Sequence, residues 1–268
     1  MTGSRSFRAL VTVALAAVLL FLMLPVVGVF VNVPPGELLA SLAGEGALDA
    51  LWLSLQTTSI ALAIILVVGT PAAYLLGTRS FRGRALAVTL VELPLVLPPA
   101  VAGIALLAAV GPEGLVGGLV ADAGIELVFE TAGVVVALTF VASPFYIRQA
   151  QAAFAAVDPS LLQASRTLGA GEARTFLLVA IPTARTGLFS GTALAWGRAL
   201  GEFGATLVFA GSFQGITQTA PLAIVERFGT DFTGALALSA VLVALSAGVL
   251  LAVKLLAGPA ALDGAARA

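Results

Sequence analysis

The chain has 268 residues, 60% of them hydrophobic and only 10% charged, with a mean hydropathy of +1.10. Soluble domains carry about 25% charged residues, so this composition points to a polytopic membrane protein. The formal net charge is −1 with no basic tract, which argues against nucleic acid as a partner; the absence of Cys and His excludes disulfides, Cys- or His-ligated zinc, His general bases and Ser-His dyads.

A span needs about 20 apolar residues, and six stretches qualify. The first, roughly 8–31, lies in FRALVTVALAAVLLFLMLPVVGVFV. Its apolar run exceeds the h-region of a signal peptide and no small-x-small site follows, so a retained span is expected. Glu37, Glu45 and Asp49 lead to the second span, roughly 51–77, and Arg79, Arg82 and Arg84 follow it. The third, roughly 85–110, contains Glu92 and is interrupted by Pro94, Pro98 and Pro99. Each proline lacks an N–H for the helical ladder, which predicts a kinked helix. The glycine-rich stretch 112–130 carries Glu113, Asp122, Glu126 and Glu130 and reads as a short helix at the outer surface. The fourth span, roughly 132–155, ends near Arg148.

Residues 156–182 are more polar than the spans and hold Arg166, Glu172 and Arg174. Asp158 suits an N-cap and Pro159 the first helical position. Leu161, Ala164, Ser165 and Leu168 then share one face, and Gly169 suits the left-handed position that ends a helix. A second short helix is expected at about 172–178, with Pro182 leading into the fifth span, roughly 184–210. Helix, glycine turn, helix is too short and polar to cross a membrane, and its first helix could enter a groove on a partner or simply form a surface hairpin.

The fifth span holds Arg198 and Glu202, which with Glu92 are the only charges expected well inside spans. Such charges should face the interior and pair. Arg198 and Glu202 are four apart, compatible with a structural pair or with a substrate contact. Gly197, Gly201 and Gly204 predict a side-chain-free strip along one helix, for packing or for gating movement. Glu226, Arg227 and Asp231 precede the sixth span, roughly 233–257.

Eleven of the thirteen basic residues fall on one side of this arrangement, including Arg5, Arg8, Lys254 and Arg267. By the positive-inside rule both termini and the 156–182 loop are cytoplasmic. No convincing internal repeat is visible, which weighs against an inverted-repeat secondary transporter. No G-x-S-x-G or G-x-x-x-x-G-K-[ST] motif is present.

The loop resembles the EAA signature of bacterial and archaeal ABC importer permeases: Gln163-Ala164-Ser165, Gly169, then Val179-Ala180-Ile181-Pro182 at the signature's spacing. Gln163 replaces Glu, Ser165 Ala, Val179 Ile and Ile181 Leu, so position 163 can offer a hydrogen bond in place of the signature's salt bridge. The stretches ELPLVLPPAVAG, GRALGEFGATLVFAG and TQTAPLAI are similar to the molybdate, tungstate and sulfate branch of that family. The resemblance covers roughly 48–257.

It implies an all-α, six-span permease with the type I importer fold, a single domain over 1–268 with its ATPase-docking loop at about 156–182. Docking would fall on Gln163, Ala164, Ser165, Leu168, Gly169 and Pro182. The translocation pathway would involve Glu92, Pro94, Pro98, Pro99, Arg198, Glu202 and Phe203. It further implies a homodimer in a prokaryotic cell membrane with two ATPase subunits inside and an oxyanion-binding protein outside. No cofactor is expected in this chain, ATP and Mg belonging to the ATPase. Molybdate or tungstate is the expected cargo. The alternatives are sulfate, an ion-coupled secondary transporter, and an intramembrane enzyme built on the Glu92 and Glu202 carboxylates.

Overall fold

A computed structural model describes residues 2–44 and 46–256. Glu45, Arg267 and the last residue of the expected sixth span lie outside the described residues. Those described are nearly all helical: α1 (Thr2–Val31), α2 (Pro35–Ala43), α3 (Ala47–Thr78), α4 (Arg84–Val96), α5 (Pro99–Val110), α6 (Gly117–Asp122), α7 (Thr131–Ala155), α8 (Pro159–Thr167), α9 (Glu172–Thr175), a π-helical segment (Phe176–Ala180), α10 (Ile181–Leu200), α11 (Gly204–Ala210), α12 (Ala220–Phe228) and α13 (Phe232–Leu256).

The core is made by α3, α7 and α10. Ala61, Ile65 and Ala73 of α3 pack on Leu138, Ala142, Tyr146, Ala150 and Phe154 of α7 and on Ala184, Ala195 and Ala199 of α10. Small residues permit this because association in lipid depends on close packing rather than on hydrophobic exclusion. At Gly77 an added Cβ would come within 2.7 Å of the Gln151 carbonyl oxygen. Thr70 Oγ1 and Tyr146 Oη lie 2.6 Å apart and tie α3 to α7. By contrast α1 is exposed along its apolar length and lies against α13, as a lipid-facing helix would.

Direction follows from these contacts. Gly69 meets Tyr146 and Gly77 meets Phe154, so α3 and α7 run parallel. Between them α4 and α5 lie end to end across a break and are bent by 120° relative to each other. This corrects the single kinked helix expected over 85–110. The break falls at Leu97-Pro98, where two consecutive prolines force extended backbone (Leu97 ψ 129°, Pro98 ψ 140°). Pro94 does not break the chain and lies inside α4.

The fifth span also differs from expectation. α9, the π segment and α10 form one helix, 29 residues long from Glu172 to Leu200. At about 1.5 Å per residue it exceeds the ~30 Å hydrocarbon core, so one end projects from the bilayer. The separate helix expected at 172–178 is that projecting end. At the other end the helix stops at Leu200, and Gly201-Glu202-Phe203 separates it from α11. The expected strip of Gly197, Gly201 and Gly204 on one helix therefore does not form. Only Gly204 makes a close approach, its absent Cβ lying 2.5 Å from Pro99 Cβ. Two short helices escaped the sequence pattern, α2 and α12; the first N–H of α12, on Ala220, donates to Ser54 Oγ of α3 at 2.7 Å.

Candidate functional site

The expected docking loop is built from local chemistry. Asp158 Oδ1 accepts from the Ser160 N–H at 2.8 Å and caps α8, with Pro159 at its first position. Hydrogen bonds from Ser160, backbone first and then hydroxyl, hold the Asp158 carboxyl below the usual carboxylate range. At the far end Gly169 has φ 85°; its N–H donates to Arg166 O at 2.9 Å, and the Ala170 N–H donates to Ser165 O at 3.1 Å. That pair of bonds is a Schellman motif.

The helix has an inner and an outer face. Leu162 is buried in the core cluster, and Ser165 Oγ hydrogen-bonds Thr175 Oγ1 at 3.0 Å. Leu161, Ala164 and Gln163 are exposed, and Leu168 is 88% exposed. The expected face of Leu161, Ala164, Ser165 and Leu168 is thus corrected at one position: Ser165 belongs to the inner contact. Glu172 fixes the loop to the rest of the protein, its Oε2 lying 3.2 Å from Arg166 of α8 and its Oε1 2.9 Å from Arg79 after α3. Nothing local in the sequence marks the Arg79 partnership.

Pro182 is exposed within the continuous helix rather than in a connection. It has no N–H to offer the preceding turn. The turn before it widens instead, and the Ile181 N–H reaches back to Phe176 O.

Within the bundle the two helix breaks meet. Gly204, at the start of α11, sits on Pro99 at the start of α5, and one turn along α5 an added Cβ at Gly103 would clash with Val208 and Ala205. Phe203 lies in the break, half-exposed. Glu202 beside it is buried, its side chain 1% exposed, with Oε2 2.5 Å from Arg198 Nη2 and Oε1 accepting from the Ala205 N–H at 2.7 Å. The carboxylate therefore neutralises Arg198 and caps α11 at the end where the helix dipole favours negative charge. The pair was legible from its spacing; the cap was not, since the sequence reads as one uninterrupted helix.

Glu92 has a partner the sequence reading missed. Its Oε1 lies 2.7 Å from Arg148 Nε of α7, and Arg148 Nη1 donates to Gln151 Oε1 at 2.7 Å. Arg198 is therefore not the only arginine within the bundle's depth. Glu92 and Glu202 are each paired with their own arginine.

Comparison with known proteins agrees with this architecture. The family described as binding-protein-dependent transport system inner membrane component matches residues 69–258. The molybdenum transport system permease protein ModB of Mycobacterium bovis is 40% identical over 88% of this chain and 89% of its own length. The sulfate transport system permease protein CysW of Synechocystis is 33% identical over 91% of this chain and 90% of its own. Among solved structures, a bacterial ABC transporter involved in import of the acidic polysaccharide alginate shares the fold, with a TM-score of 0.73 and 15% identity over 94% of both chains.

Proposed function

The chain belongs to the family of binding-protein-dependent transport system inner membrane components, and from that premise we propose that it is the permease of an ATP-driven importer for a tetrahedral oxyanion, molybdate or tungstate in the first place. It is a multi-pass membrane protein and a transport subunit. The observation that carries the cargo is the 40% identity, over most of both chains, with a molybdenum permease. Sulfate is the second reading, supported by the weaker match to a sulfate permease.

In this reading two copies enclose a pore on their two-fold axis. A separate ATPase subunit docks on the exposed face of Leu161, Ala164 and Leu168 of each copy, and a binding protein delivers the ion from outside. ATP and Mg act on the ATPase. The apolar outer face of α8, ending in a rigid glycine turn, supports docking by insertion into a groove. Glu172 supports transmission, because a push on α8 reaches α3 and the long α9–α10 helix through Arg166 and Arg79.

The test is uptake into proteoliposomes carrying the permease, its ATPase and its binding protein. ATP-dependent molybdate uptake that stops without the binding protein is expected. Uptake driven by an ion gradient with no ATPase present would overturn the proposal.

The orientation has its own test. The chain has no Cys, so single cysteines report cleanly. An impermeant thiol reagent outside intact cells is expected to label a cysteine at Glu126 and none at Arg82 or Arg166. Labelling at either arginine position reverses the topology.

A further inference from the structure

We propose that Arg148 is an anion-contacting residue of the translocation route, and that Glu92 is the counter-ion a passing oxyanion displaces. The inference rests on the reading of the chain as an oxyanion importer and adds a specificity-determining residue to it.

The two members of this ion pair are held very differently. Arg148 stands on α7, the central helix of the bundle, between Tyr146 and Ala150, both buried in the core. Its Nη1 is fixed by Gln151, itself 7% exposed. Glu92 stands on α4, which buries no side chain. That helix begins at Gly83, with φ 87°, and ends at the Leu97-Pro98 break, so each end has a backbone joint. The pair thus joins an arginine on a core helix, held by Gln151, to a carboxylate on a half-helix whose side chains all stay at least partly exposed.

Both side chains are open, 41% and 39% exposed, unlike a pair sealed in a core. Glu92 occupies the Nε side of the guanidinium. If α4 moves away, the Nε–Nη2 edge of the guanidinium is free. That edge offers two parallel N–H donors, a geometry that matches two oxygens of a tetrahedral anion. With Glu92 in place the site is neutral, so the route does not trap the ion at rest.

The second pair makes the contrast. Glu202 is almost fully buried and tied to the Ala205 N–H, so it cannot leave Arg198 without uncapping α11. Of the two arginines, only Arg148 has a counter-ion free to exchange.

The experiment uses the complete permease, ATPase and binding-protein complex in proteoliposomes with molybdate as probe, reading uptake rate and thermal unfolding midpoint together. Arg148→Lys keeps the charge and the ion pair but loses the two-pronged edge. Its uptake is expected to fall at least about tenfold with the unfolding midpoint unchanged. The exchange Glu92→Arg with Arg148→Glu restores the pair but moves the arginine from α7 to α4, and it too is expected to be stable and slow. Wild-type uptake in Arg148→Lys, or in a stable exchanged protein, reduces the pair to a structural tie and overturns the proposal. If the exchanged protein does not insert, Arg148→Lys alone decides. Failure of the importer reading is separate, because the unaltered complex would then take up no oxyanion with ATP.

Discussion

Arg198→Leu is expected to be the most destabilising single change in the transmembrane region. It leaves the Glu202 carboxylate buried with no opposite charge, its side chain 1% exposed. Removing one partner of a buried pair costs about 3–5 kcal/mol, against total stabilities of about 5–15 kcal/mol for folded domains. Low yield and a much lower unfolding midpoint in detergent are the expected readings. The companion variant must respect the second role of Glu202. Glu202→Leu would also strip the acceptor from the Ala205 N–H, a loss of about 1–3 kcal/mol. Glutamine keeps an oxygen at that place and drops the charge. The double variant Arg198→Leu, Glu202→Gln is therefore expected to recover stability and oxyanion uptake together. If it is stable yet transports nothing, Arg198 meets the ion and the purely structural account fails. An Arg198→Leu protein as stable as the original would refute the buried-charge argument altogether.

What the sequence could and could not reveal follows from how local each feature is. The spans were legible because the bilayer demands a long apolar run, and α3, α7 and α13 lie where such runs lie. The helix α8 was legible because its cap, its first-turn proline and its glycine stop act within a dozen residues. Ser165 was assigned to the wrong face because it sits at the edge of the apolar stripe, and the hydroxyl of Thr175 decides where it points. The helix break at 201–203 was not legible. Apart from Arg198, GRALGEFGAT is small and apolar on either side of it, so no change of period marks the place where Glu202 turns back to cap α11. The Glu92–Arg148 pair joins residues far apart in the chain and leaves no local trace either.

These features suggest a division of labour along the protein. The breaks in α4–α5 and in α10–α11 meet at Pro99 and Gly204, beside the core made by α3, α7 and α10. Irregular backbone is tolerated at membrane depth where protein or a cavity covers it. The 29-residue α9–α10 helix runs from the 156–182 loop to the break at 201–203. The π segment and Pro182 lie on that path, between the loop and the bundle.

Gly169→Val is expected to cut that path at its start while leaving the transmembrane bundle intact. Gly169 has φ 85°, a conformation β-branched residues rarely adopt, and forcing such a residue there costs about 1–3 kcal/mol. Nothing lies within 4 Å of the added Cβ, so the effect is backbone strain alone and not a clash. The strain is relieved most cheaply by unwinding the turn, with loss of the bonds from Gly169 to Arg166 and from Ala170 to Ser165. The exposed face of Leu161, Ala164 and Leu168 then loses its fixed attitude to Glu172. Since about 1.4 kcal/mol is a factor of ten in an equilibrium, coupled transport should fall roughly tenfold or more while the protein still inserts and still binds detergent-stable partners weakly. Gly169→Asn is the control, because asparagine tolerates the left-handed region, and it should keep most of the uptake. Uptake per ATP hydrolysed, measured on both variants in the assembled complex, reads the result. A valine variant that transports as well as the asparagine variant would mean that the glycine turn does not hold the docking face, and that force enters the protein elsewhere.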